Sequence, residues 1–243
     1  MTTAQSPTVL IAGATSSSGV AAAQALHDAG ARVLVVGTSA ERLAERLPFA
    51  SGRYVADLAN PAAVDALAGK VHDQFGPLDG LIHLVGGWRG GKGLAGQSDD
   101  DYDFLHRNVV TTLRNTSRVF LPDIAASPLG RLAIVSSTAV QRPTASGANY
   151  VAVKAAAEAW TMAAAAGLRA AQSGNKKEPV AQHSAAVVLV IKAFVDAAAR
   201  AQAPERDFAG FTDVADFGSA VAGLFDADAA SLNGTRLPLV PRA

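Results

Sequence analysis

The stretch Thr8-Val-Leu-Ile-Ala-Gly13-Ala-Thr-Ser-Ser-Ser-Gly19-Val20 decides the fold. Thr8–Ala12 is short, apolar and partly β-branched, the composition of a buried strand. Gly13 follows at once, and the serines after it are residues that cap helix N-termini. Strand, tight turn and helix are therefore expected in direct succession. The helix, expected over 18–29, begins with unpaired amides that face the turn. Those amides and the helix dipole favour an anion such as a pyrophosphate, and glycine lets the backbone approach it closely. A serine-rich cap with no ligand is the other reading of Gly13, Thr15, Ser16, Ser17, Ser18 and Gly19.

Outward from this stretch the same alternation repeats. Strands are expected at 8–12, 32–36, 52–55, 80–84, 130–136, 185–191 and 236–239. Helices are expected at 18–29, 40–47, 61–75, 99–127, 148–172 and 213–224. Gly30 and Gly76 stop their helices, and Asn60-Pro61 starts one with proline at its first position. Alternating strands and helices predict a parallel sheet covered on both faces. Two stretches read as loops, the glycine-rich 86–96 and the polar 173–183. A chain of 243 residues with 49% hydrophobic content suits a single α/β domain over 1–243.

Charge is balanced, with 21 basic and 21 acidic residues, which argues against nucleic acid or an anionic membrane as partner. There is no cysteine, hence no disulfide framework or thiolate metal site. The start MTTAQSPTVLIAG lacks a charged n-region, and no apolar run reaches membrane-span length, so a cytoplasmic protein is expected. The five histidines lack ligand spacing, and no metal is expected. Ser98-Asp-Asp-Asp101 reads as a helix cap with dipole compensation.

A second centre lies in ANYVAVKAAAEAW, where Tyr150 and Lys154 stand four residues apart and so share a helix face. A cation beside a phenol favours the phenolate, so Lys154 is expected to lower the pKa of Tyr150 and fit it for proton transfer. Ser137 lies thirteen residues before Tyr150, at the end of RLAIVSS, where its hydroxyl can meet the same substrate oxygen. Adjacent Ser136 is the less favoured substitute at that offset. An ordinary helix with a half-buried tyrosine and a solvated lysine is the bland alternative.

These features, in this order, resemble the short-chain dehydrogenase/reductase family over nearly the whole chain. The resemblance rests on GATSSSG from Gly13, Asp57 in VADL, HLVGG from His83, then Asn108, Ser137, Tyr150 and Lys154. It implies a doubly wound Rossmann fold, with a mostly parallel seven-stranded sheet. It implies an NAD(P)(H)-dependent oxidoreductase moving a hydride to or from a carbonyl or alcohol carbon. Tyr150 is then the general acid/base, while Lys154 tunes it and binds the nicotinamide ribose. Ser137 orients the substrate, and Asn108, expected in mid-helix, holds a water next to Lys154. Asp57 contacts the adenine, with Leu58, Val85, Gly86 and Gly87 also lining the cofactor. The second strand ends in Gly37-Thr38-Ser39 without an acid. Thr38, Ser39 and Arg42 leave room for a 2′-phosphate, which favours NADP, with NAD as the other option.

Three departures from the family pattern stand out. Ser17 occupies a glycine position, where it either crowds the dinucleotide or donates a hydroxyl to it. His83 replaces an asparagine and is expected to be structural. Val190-Ile191-Lys192-Ala193 stands where the family has a Pro-Gly turn leading to a hydroxyl residue. These departures support an alternative, a dinucleotide-binding sensor or pseudo-enzyme without turnover.

The run Gly86-Gly-Trp-Arg-Gly-Gly-Lys92-Gly approaches a phosphate loop, but Gly93 replaces the required Ser or Thr. A strand followed by GGWxGG instead resembles the dihydropteridine-reductase-like branch of the family, which implies a planar, quinonoid (pteridine-like) substrate beside Trp88. Trp88 and Phe194 are the expected pocket residues. Family members associate as homodimers or homotetramers, and the alanine-rich face of 155–166 would allow close packing.

Overall fold

The computed structural model describes residues 6–175 and 178–240. Seven strands form one sheet: β1 Thr8–Ala12, β2 Arg32–Gly37, β3 Gly52–Val55, β4 Gly80–His83, β5 Arg131–Ser137, β6 Ala185–Ile191 and β7 Thr235–Pro238. Their order is β3-β2-β1-β4-β5-β6-β7, and every neighbouring pair is parallel. Parallel strands need crossovers, which here carry helices α1 Ser17–Asp28, α2 Ala40–Arg46 and α3 Pro61–Phe75. Further along come α4 Asp99–Leu105, α5 Thr112–Ala126, α6 Ala148–Gln172, α7 Ala197–Gln202, α8 Val214–Gly223 and α9 Ala229–Leu232.

Successive strand residues alternate between the two faces. Val9, Ile11, Val33 and Val35 pack on Ala22, Leu26, Leu43 and Phe217 of α1, α2 and α8. Leu10, Leu34, Leu81 and Leu132 pack on Val64, Val71, Phe120 and Leu168 of α3, α5 and α6. Every residue of β1, β4 and β6 is buried, so these strands read as unbroken apolar runs rather than alternating ones.

Strand order reverses at β1, which lies between β2 and β4. Crossovers leave in opposite directions there, opening a crevice at the strand C-terminal ends. Register brings Ala12 level with Val36 and His83, and His83 level with Ile134. Ser137, three residues beyond Ile134 on β5, pairs with Ile191.

Seven strands match the expected ones to within a residue or so at each end. The expected helix over 99–127 is interrupted: a π-helical stretch, His106–Thr111, separates α4 from α5. Asn108 lies inside that wider turn rather than in regular helix. Its Nδ2 donates to the Phe104 carbonyl at 3.0 Å, and the Thr112 hydroxyl donates to the Asn108 carbonyl at 2.5 Å. Such back-bonding side chains compete with the regular helical ladder. The expected loop 173–183 contains an antiparallel pair, Gly174–Asn175 with Glu178–Pro179; residues 176 and 177 lie outside the described ones. Among the described residues no helix is long and apolar enough to cross a membrane.

Candidate active site

The first part of the site is the turn after β1. Gly13 has φ +81°, and a Cβ there would stand 2.9 Å from the Leu84 and Val85 backbone. A Cβ on Gly19 would stand 2.6 Å from the Ala14 carbonyl. Both glycines are thus demanded by close packing of the turn against β4 and α1. The Ser16 hydroxyl caps α1, accepting from Gly19 N at 3.0 Å and donating to Gly13 O at 3.1 Å. The capping expected of the serines is therefore real. It leaves the first-turn amides of Ser17 and Ser18 without an intrahelical partner, as in any helix.

The Ser17 hydroxyl lies beside the Asp196 carboxylate. That carboxylate accepts from Ala199 N at 2.8 Å as the cap of α7. The Ala199 amide first, then Ser17, hold the Asp196 carboxyl below its ordinary range. Ser39 caps α2 through Arg42 N at 3.2 Å. Arg46, one helical turn beyond Arg42, is the arginine that donates to the Thr15 carbonyl in the turn. Thr38 is exposed beside them.

Asp57 caps its own turn, accepting from Ala59 N at 3.0 Å, and pairs with Arg107 at 2.6 Å. Leu58 is buried in the core, and its carbonyl accepts from Asn115 Nδ2 at 3.0 Å. What Leu58 can offer a ligand is backbone. Val85 packs partly into the same core, and Gly86 leaves the Lys154 Nζ 3.7 Å from where a Cβ would be.

The second part of the site joins β5 to α6. Ser137 ends β5 with its Oγ accepting from Ala139 N at 3.2 Å, and its hydroxyl lies beside Tyr150 in one cavity. Lys154 is buried; its Nζ donates to the Val135 carbonyl at 2.9 Å and lies 5.8 Å from the Tyr150 ring centroid. The structure therefore brings Ser137, Tyr150 and Lys154 together as the spacing predicted. Asn108 is on the neighbouring π-helical turn, with its amide engaged by Phe104.

The electrostatics correct one expectation. Tyr150 is not lowered by Lys154: burial raises it, and the Ser137 hydrogen bond only partly opposes this. Removal from water penalises the phenolate, and the ammonium is turned toward the Val135 carbonyl. Burial instead brings Lys154 itself down to about 8, with the Glu158 charge holding it up. His83, 3% exposed, falls to about 3 through burial and then the Lys154 charge, and is neutral. Its Nε2 has no hydrogen-bond partner among the described residues.

Glu158 was not anticipated as part of the site. It is buried one turn beyond Lys154 and accepts from Ser136 Oγ at 2.5 Å and Arg236 Nε at 2.8 Å. Ser136 is thus committed to Glu158, which leaves Ser137 as the serine at Tyr150. The available signal was the i, i+4 spacing of Lys154 and Glu158, the same rule that pairs Tyr150 with Lys154.

Two cavities meet at Tyr150. One, about 430 Å³, runs from Ser16 and Ser18 past Gly86 to Lys154 and Phe194. The other, about 450 Å³, opens beyond Tyr150 and Ser137 toward Thr144 and Ser146. Trp88, 67% exposed, and Lys192 line both. A larger hollow of about 650 Å³ beside β3 and α3, lined by Arg53, Lys70 and Gln74, shares no lining residue with these two. It lies at the sheet edge, not at the strand C-terminal ends that flank the switch point between β1 and β4. Ligands of open α/β sheets bind at those ends, so the paired cavities are the candidate site. Among the described residues no cluster of His, Asp or Glu could hold a metal ion.

A glycine turn at a helix N-terminus and a Ser–Tyr–Lys group meet at one crevice, and comparison with known proteins places the chain in a family. The short chain dehydrogenase family model matches residues 7–172, and the chain belongs to that family. It is 29% identical over 157 residues to 2,3-dihydro-2,3-dihydroxybenzoate dehydrogenase of Bacillus subtilis (strain 168), covering 62% of this chain and 60% of that one. It is 30% identical over 167 residues to the ketoacyl reductase HetN of Nostoc, covering 66% of this chain and 58% of HetN. The match thus spans about three-fifths of these relatives. The solved structure of a short chain dehydrogenase from Burkholderia cenocepacia J2315 in complex with NADP superposes with a TM-score of 0.78 at 25% identity, covering 97% of each chain.

Proposed function

We propose that the chain is one dinucleotide-binding domain acting as an NAD(P)(H)-dependent reductase or dehydrogenase of a carbonyl/alcohol or quinonoid, pteridine-like small molecule. The observation that carries this reading is the convergence of Ser137, Tyr150 and Lys154 on one crevice that continues to the Gly13–Gly19 turn. The turn fits a dinucleotide because its glycines let the backbone come close and its first-turn amides face outward. Gly13, Thr15, Ser16, Ser17, Ser18 and Gly19 would cradle the pyrophosphate. Asp57, Leu58, Val85, Gly86 and Gly87 would line the adenosine half.

A bound nicotinamide dinucleotide supplies or accepts the hydride. The protein's own work is proton traffic and orientation. Ser137 donates a hydrogen bond to the substrate oxygen, holding it beside the phenol. Tyr150 delivers a proton to that oxygen on reduction and removes it on oxidation. The raised pKa of Tyr150 keeps it protonated and suits the reductive direction. Lys154 stays cationic below about pH 8 and supports the phenolate that proton delivery leaves. Trp88 lines both cavities, and Phe194 walls the one that runs to the turn. Thr38, Ser39 and the two arginines Arg42 and Arg46 favour NADP over NAD, since no acid stands at the end of β2.

The apolar hollow between α5 and α6, lined by Leu121, Trp160, Ala163 and Ala164, is the face we assign to homodimer or homotetramer contact. Sedimentation of Trp160→Ser against wild type tests it.

The test of the activity is Tyr150→Phe assayed with NADPH and NADH on a carbonyl panel. Turnover is expected to fall about a hundredfold or more. The cofactor dissociation constant should stay within about twofold. Equal turnover of wild type and variant would overturn the assignment of Tyr150. Tight cofactor binding by wild type without turnover of any carbonyl would instead favour a dinucleotide sensor.

A further inference from the structure

The cavity beyond Tyr150 has a charge that the reductase reading leaves unused. Lys92 and Lys192 both line it, and neither Asp nor Glu does. The chain as a whole is neutral, with 21 basic and 21 acidic residues, so two cations facing no acid is a local departure. Among the described residues neither lysine has a carboxylate within ion-pair distance; the recorded pairs involve other side chains. The adjoining cavity also lacks an acid, and Lys192 lines it as well.

The Lys92 backbone and the Lys192 side chain are held in place. The Lys92 backbone bridges to Gly96, and Gly91 N donates to Ser146 O at 2.9 Å. Gln97 fastens the same loop, its Nε2 donating to Gly93 O at 3.0 Å and its Oε1 accepting from Asn149 N at 3.1 Å. Lys192 Nζ donates to Ala209 O at 2.8 Å and lies 5.4 Å from the Phe211 ring centroid. An ammonium has three donors, so two remain for a ligand. Tyr150 and Ser137 fix one end of the cavity and hold the reacting oxygen. Lys92, Lys192 and Trp88 line the same cavity, so a substrate body held at Tyr150 lies within their reach.

Resting on the reductase reading, we propose that the substrate is a carbonyl compound carrying an acid group, a carboxylate in the simplest case, on a planar or apolar body. Lys92 and Lys192 take the carboxylate while Ser137 and Tyr150 take the carbonyl oxygen. The carboxylate does not react: the carbonyl carbon gains the hydride, its oxygen gains the proton, and an alcohol bearing the same acid leaves. Lys192 and Lys92 are specificity residues in this scheme.

The experiment compares 4-formylbenzoate with 4-formylbenzamide, which share a reacting aldehyde and differ in charge. Calorimetric binding to the protein with NADP⁺ comes first, and turnover with NADPH second. The acid is expected to bind about tenfold more tightly or better, the range of a charge-assisted hydrogen bond. That ratio should fall toward one in Lys192→Met, in Lys92→Met, and when salt rises from about 0.05 M to about 0.5 M. A ratio within one preparation does not depend on the folded fraction. Equal binding of the two probes overturns the inference, as does an unchanged ratio in both variants. Loss of NADP⁺ affinity in Lys192→Met with the ratio intact would give that lysine to the cofactor and also overturn it. A preference for the acid in binding without reduction of either aldehyde would sink the reductase reading and leave the anion site standing.

Discussion

Lys154 and Glu158 lie one turn apart on α6, both less than a tenth exposed, and the carboxylate supports an ammonium that burial works to discharge. Glu158 is held in turn by Ser136 and Arg236. It acts through Lys154 and is a positioning residue. Glu158→Gln should let Lys154 fall below about 8. The alkaline limb of the kcat/KM profile would then move to lower pH, because the cation is lost earlier as pH rises. An alkaline limb that stays in place would remove Glu158 from the site's electrostatics.

Ser17, in the turn after β1, lies beside Asp196 at the start of α7. An unneutralised carboxylate beside a phosphate site repels an anionic cofactor. Asp196→Asn is expected to strengthen NADPH binding several-fold by removing the charge, and Ser17→Gly to change it less because the carboxylate stays. Fluorescence titration measures both. Weaker binding by the two variants would mean the two side chains organise the site instead.

Arg46 reaches the Thr15 carbonyl, so its guanidinium stands close to the turn while Arg42 supplies only its capped amide to α2. Arg46→Ala should weaken NADPH by about tenfold and NADH by much less, as loss of a charge-assisted phosphate contact does. Equal losses for the two cofactors would place Arg46 in the architecture of the turn alone.

His83 carries a proton cost into the core. Its folded value of about 3 lies below the ordinary 6.5, so the unfolded chain binds the extra proton first as pH falls. Its contribution to stability is complete above 6.5 and is lost progressively from there to about 3. His83→Leu removes both this titration and the unpartnered Nε2, and should be more stable by about 1 kcal/mol at pH 7. The advantage over wild type should widen at pH 5, as urea midpoints at the two pH values will show. A constant gap would mean His83 is solvated in the native state.

Much of this was legible from short-range pattern. Strand positions followed from apolar runs such as TVLIA and AAVVLVI, which need no partner to be identified. Tyr150 and Lys154 followed from helix geometry, and Ser137 from its place at a strand end. The π-helical stretch around Asn108 left no compositional trace, since HRNVVT reads as ordinary helix. Asp57–Arg107 and Ser17–Asp196 join residues far apart in the chain, and only the folded crevice brings them together. The fate of Tyr150 turned on burial against charge, and spacing reports proximity without reporting solvent.

The excursion after β6 leaves and returns at one place. Phe194–Val195 pairs in parallel with Thr212–Asp213, so residues 196–211 enter and exit side by side. Its ends meet whatever lies between them, and the entropy of closing such a loop grows only slowly with its length. The segment is thereby an interchangeable cassette. A longer or differently shaped insert could be spliced between Val195 and Thr212 with the seven-stranded scaffold undisturbed, which makes this the natural place to retarget the protein by grafting.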